Sequence, residues 1–127
     1  MIDGLRGREW DPHYLGYFEC FNQQLFYEAH DVLEELWLGQ RRQRNDLFYK
    51  GLIQLAGAFV HLQKNRLQPA GALFRLARGN LSQYPATHES LNVTAVLTLV
   101  DDWLTRLEKS PENPLKPGTE PVLGLQS

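Results

Sequence analysis

Asp46-Leu47-Phe48-Tyr49-Lys50-Gly51-Leu52-Ile53-Gln54-Leu55-Ala56-Gly57-Ala58-Phe59-Val60-His61-Leu62 is the stretch that decides the fold. At about 100° per residue, Phe48, Leu52, Leu55, Phe59 and Leu62 fall in one stripe, and Tyr49, Ile53, Ala56 and Val60 widen it. An apolar rhythm of this kind makes a helix, and so broad a stripe requires neighbours on several sides. The spacing predicts a central helix over about 46–65. Its remaining face carries Lys50, Gly51, Gln54, Gly57, Ala58, His61 and Lys64. Gly51 and Gly57 each cost about 1 kcal/mol of helix propensity against alanine, so a helix or a ligand is expected close against them.

The flanking sequence extends the pattern in both directions. Asp11-Pro12 reads as an N-cap with proline in the first turn, opening a short helix to about Asn22 with Tyr14, Tyr17, Phe18 and Phe21 at helical spacing. A second helix, about Leu25 to Leu38, gathers Phe26, Ala29, Leu33, Leu36 and Trp37 on one face and stops at Gly39. Pro69 opens a fourth, about Gln68 to Tyr84, with Leu73, Ala77, Leu81 and Tyr84 inward. Asn92 caps a fifth that carries Val93, Val96, Leu97, Val100, Trp103, Leu104 and Leu107 on one face. No segment alternates with period two. The expected fold is all-α, a single-domain bundle of about five helices over residues 11–109. A loose arm (1–10) precedes it, and a Pro-rich tail (110–127), disordered or laid along the surface, follows. Short connections predict antiparallel packing of successive helices.

Composition narrows the function. The chain has 127 residues, 43% hydrophobic and 22% charged, with a net charge of −2, which excludes wholesale disorder. Cys20 is the only cysteine, so an internal disulfide and a cysteine-clustered zinc site are excluded, and among aromatics it reads as a small buried residue. The longest apolar run, Leu52 to Leu62, is interrupted by Gln54 and His61 and is too short for a membrane span. The N-terminus lacks the order of a signal peptide. A cytoplasmic protein with no membrane partner is expected. Phosphate loops, Gly-x-Ser-x-Gly turns and dinucleotide fingerprints are missing.

The chemistry concentrates in Phe26-Tyr27-Glu28-Ala29-His30-Asp31-Val32-Leu33-Glu34-Glu35-Leu36-Trp37. Helical geometry puts Glu28, Asp31 and Glu35 opposite the apolar face, and His30 and Glu34 at its margin. Antiparallel packing of the second and third helices brings His30 and Glu34 toward His61 or Gln54. That constellation reads as a polar structural network or a ligand-binding or partner-binding site lined by His30, Glu34, Trp37, Gln54 and His61. Alternatively, His30, Glu34 and His61 ligate a divalent metal such as zinc, manganese or iron in a hydrolase-like enzyme, with Glu28 as a candidate base. The spacing is not that of a known metal motif. His13 and His88 fall near helix starts or loops and are expected exposed, and Trp10 is expected to pin the arm to the bundle.

Charge offers a third reading. Residues 39–78 hold Arg41, Arg42, Arg44, Lys50, Lys64, Arg66, Arg75 and Arg78 against one acidic residue, Asp46. Such a region suits an anionic partner. Yet the overall charge argues against nonspecific nucleic-acid binding, and Phe74 is the one aromatic interleaved as single-strand stacking requires. Apolar faces of the first and fifth helices would also serve a homodimer.

Phe21-Asn22 followed by Phe26 to Glu34 with Trp37, and then Phe48-Tyr49-Lys50-Gly51-Leu52-Ile53-Gln54-Leu55-Ala56 with His61, Asn65, Gly71, Ala72 and Leu73, resembles the family called domain of unknown function 309. The resemblance spans about residues 14–84. It implies a compact all-α bundle and supplies no reaction, cofactor or partner. It marks Glu28, His30, Glu34, Trp37 and His61 as signature positions, although helical geometry turns Glu28 outward.

Overall fold

The computed structural model describes residues 10–125, so all of the expected N-terminal arm except Trp10 lies outside the described residues. Trp10 stacks on Tyr14 with ring centroids 5.4 Å apart. Five helices follow: α1 (Pro12–Asn22), α2 (Phe26–Gly39), α3 (Asp46–Gln63), α4 (Leu67–Leu81) and α5 (Val93–Lys109). Their boundaries follow local chemistry. The Asp11 carboxylate accepts the His13 N–H at 2.8 Å, with Pro12 in the first turn. Asn92 caps α5 by accepting the Ala95 N–H at 2.9 Å. Helix α4 stops at Leu81, short of the expected Tyr84. Beyond it the Tyr84 hydroxyl accepts the Phe48 N–H and donates to the Arg44 carbonyl, tying the loop before α3 to the end of α4.

Facing pairs give the packing direction. Gly16 meets Val32 and His13 meets Glu35 across α1 and α2. Phe26 stacks on Phe59, and Trp37 bonds Asp46, across α2 and α3. Gly51 lies against Leu81, and Gly57 against Leu73, across α3 and α4. Gly71 lies against Leu107, and Arg78 pairs with Asp101, across α4 and α5. In every case the residue number rises on one helix as it falls on the next, so successive helices run antiparallel. Helix α3 is the axis of the core. Phe59, fully buried, meets rings from all four other helices, and the Tyr17 hydroxyl of α1 donates to the Leu52 carbonyl at 2.6 Å. Burying each such ring contributes roughly 1.5–3 kcal/mol.

Several expectations need correction. The chain is not wholly helical: β1 (Thr87–His88) and β2 (Leu91–Asn92) form a two-stranded antiparallel hairpin between α4 and α5. Strands of two residues are too short to show an alternating pattern, and the turn is made by Glu89 and Ser90 at positive φ. His88, expected exposed, is 6% exposed, with its ring against Phe48 and Tyr84 and its Nε2 bonded to Asn45 Oδ1 at 2.7 Å. Cys20 is half-buried rather than enclosed, and burial pushes its thiol pKa up. Among the described residues the large exposed apolar side chains are Leu25, Tyr27, Leu38, Leu76 and Val122, none on α1 or α5. Residues 110–125 lie across the bundle: Asn113 donates to the Leu62 carbonyl, Asn22 exchanges two bonds with the Leu123 backbone, and Leu125 bridges to Leu91. Among the described residues no helix is long and apolar enough to cross a membrane.

Burial holds the His88 pKa below its usual value, with Arg44 adding to the effect. The unfolded chain therefore takes up a proton at higher pH than the folded one. The stability His88 confers is complete above the unfolded value near 6.5 and is lost as the pH falls through the folded value. His13, held between the Asp11 and Glu35 carboxylates, is raised and acts in the opposite sense. The His88 contribution is therefore read by difference: in urea unfolding at pH 7.5 and pH 5, His88→Phe should lose less stability on acidification than the parent. An equal loss would show that His88 does not titrate against folding.

Candidate functional site

A cleft of about 210 Å³ opens between α2, α3 and α4. Helix α2 contributes Tyr27 and His30, and α4 contributes Leu73. The largest share comes from α3: Ile53, Gln54, Gly57, Val60 and His61. Gln54, Gly57 and His61 stand at i, i+3 and i+7, so one face of α3 forms the floor. Gly57 keeps that floor low. A Cβ there would lie 3.2 Å from Leu73 Cδ1 and 4.0 Å from His30 Cδ2.

Each polar side chain in the cleft has a defined setting. Gln54 Oε1 accepts from Asn80 Nδ2 of α4 at 2.7 Å, which fixes the amide. His30 Nδ1 lies 3.3 Å from Asp31 Oδ1, and its ring is 6.3 Å from Tyr27. His61 Nδ1 is buried without a hydrogen-bond partner among the described residues. Burial lowers the His61 pKa, and Arg66 and Lys64 lower it further, so the ring is neutral at neutral pH.

Three of the candidates named from sequence come together here: His30, Gln54 and His61. The others do not. Glu28 is exposed on the outer side of α2, as helical geometry has it. Glu34 is half-buried but outside the cleft. The Trp37 indole turns to the loop after α2 and donates to Asp46 Oδ1 at 2.6 Å, while Asp46 Oδ2 accepts the Arg42 N–H at 2.7 Å. Those two bonds, the backbone one first, hold the Asp46 carboxyl below its usual range. Among the described residues no hydrogen bond joins His30 to Glu34 or His61, and no three His, Cys, Asp or Glu side chains are grouped to hold a metal ion. Sequence reasoning missed Tyr27, Ile53, Val60 and Leu73. Tyr27 stands three residues before His30, a spacing that shares a face, and the register set by Gly51 and Leu81 carries Leu73 to Gly57.

A sequence model of the family described as Domain of unknown function (DUF309) matches residues 14–73. Every residue lining the cleft lies in the matched span, whereas α5 and the C-terminal segment lie outside it. No curated protein and no solved structure matches the chain.

Proposed function

We propose that this chain is a binding domain for a small molecule with an apolar body and an oxygen acceptor, held in the cleft between α2, α3 and α4. One observation carries the reading: Gln54 and His61 flank Gly57 in a cleft otherwise walled by His30 and by Tyr27, Ile53, Val60 and Leu73. Apolar walls with few polar groups are the usual composition of a small-molecule site. The polar groups favour donation. Asn80 occupies the Gln54 carbonyl, which leaves the Gln54 amide N–H groups for a ligand. A neutral imidazole carries one N–H, and a buried orphan donor is rarer and costlier than an orphan acceptor. The His61 proton is therefore assigned to Nε2, leaving the enclosed Nδ1 as the unfilled acceptor. A carbonyl or carboxylate oxygen complements both donors. A purely structural polar network is the weaker reading, because His30, Glu34 and His61 are not bonded to one another.

The test is titration of the protein with benzamide and benzoate, followed by amide chemical shifts. Shifts should concentrate on residues 27–30, 53–61 and 73. His61→Phe keeps a ring and removes the donor; losing one hydrogen bond of about 0.5–1.5 kcal/mol should weaken binding about 2–13-fold. Shifts spread over the surface, or unchanged affinity in the variant, would refute the site.

A further inference from the structure

The loop between α2 and α3 carries a second surface, independent of the cleft. Sequence places eight basic residues between 39 and 78, but the fold divides them. Lys64 and Arg66 follow the C-terminus of α3, about 27 Å along that helix from its start. Arg75 and Arg78 lie on α4, and Arg78 is paired with Asp101. Arg41, Arg42, Arg44 and Lys50 remain together at the N-terminal end of α3, all exposed, and none forms an ion pair among the described residues. Asp46, among them in sequence, is hydrogen-bonded to two uncharged donors, the Trp37 indole and the Arg42 backbone N–H, and reaches Arg41 and Lys50 only through longer-range attraction. The loop is also fastened through the Arg44 carbonyl to Tyr84 and through Asn45 to His88. Its backbone is anchored while its guanidinium groups form no ion pair among the described residues. The Arg41 guanidinium lies 5.4 Å over the Trp37 ring.

We propose that this loop binds single-stranded RNA. Guanidinium groups match phosphate in a bidentate way, and a guanidinium plane backed by an indole is a platform on which a base stacks. An acidic peptide would use the charges but not the stack. Phe74, the aromatic that the sequence order sets among the basic residues, is fully buried; the fold puts Trp37 in that role instead.

The experiment is fluorescence anisotropy with a labelled oligouridylate and the full chain. Binding should weaken with salt at a logarithmic slope of about −2, from roughly three phosphate contacts. Arg41→Glu with Arg44→Glu should weaken it about tenfold or more. Lys64→Glu with Arg66→Glu, an equal charge change at the far end, should leave it unaltered. Arg41 and Arg44 enter the fold's hydrogen bonds through Arg44's backbone alone, so the first pair should melt like the parent. Arg41→Lys keeps the charge and loses the plane, and should also weaken binding. Absence of binding at low salt, equal weakening by both double variants, full affinity in Arg41→Lys, or equal competition by polyglutamate would each overturn the proposal.

Discussion

Phe59→Ala should remove about 3–5 kcal/mol of the unfolding free energy, a large part of the roughly 5–15 kcal/mol available to a domain. The magnitude follows from position. Phe59 is fully buried, its ring stacks on Phe26 at 5.0 Å, and it meets Phe21, Phe74 and Trp103 edge-on at 5.6, 5.1 and 5.0 Å. Those four rings sit on α1, α2, α4 and α5. Truncation therefore opens a void at the junction of all five helices, where no single element can relax to fill it. Urea unfolding would show a lower midpoint with an unchanged slope. A loss below about 1.5 kcal/mol would mean that the helices close over the gap and that the core is less closely packed than these contacts require.

That junction explains why the helices were legible in the sequence. Each helix buries one stripe in the shared core, so each carries a clean 3.6-residue pattern, and the caps at Asp11 and Asn92 mark two of the starts. The hairpin of β1 and β2 had no such signal, since strands of two residues hold no period. His88 lay beyond reach because its burial depends on Asn45 and Phe48, remote in sequence, which the loops bring beside it together with Tyr84.

The site was partly legible because helix spacing reports which face a side chain takes, and His30, Gln54 and His61 take the faces that meet. It does not report which way a long side chain then turns. Trp37 stands at i+7 from His30, yet its indole swings to Asp46 because a half-buried N–H needs an acceptor and the loop supplies one. Charge was legible only as a sum. A run of basic residues along the chain became separate groups once an 18-residue helix intervened, and no count of charges contains that division.

The two glycines that sequence grouped together on α3 should answer oppositely to substitution. A Cβ at Gly51 would lie 2.8 Å from Leu81 Cγ and 3.0 Å from Cδ2, and Leu81 is fully buried. Helices α3 and α4 would have to part, at a cost of about 1–3 kcal/mol, and alanine returns only about 1 kcal/mol of helix propensity. Gly51→Ala should therefore lose up to about 2 kcal/mol, and Gly51→Val about 3 or more. At Gly57 the nearest atom is the terminal Leu73 Cδ1, at 3.2 Å, on a half-exposed side chain beside an open cleft. That methyl can move, so Gly57→Ala should be neutral or gain up to about 1 kcal/mol. Gly79, with nothing within 4 Å, gives the propensity gain alone when changed to alanine and serves as the reference. Thermal unfolding of the three alanine variants would rank them, and Gly57→Ala falling with Gly51→Ala would place both glycines in the same packing role. If instead Gly57→Ala holds its stability while benzamide binding weakens, the glycine's helix cost is offset by nothing in the fold, and the space it leaves belongs to the ligand.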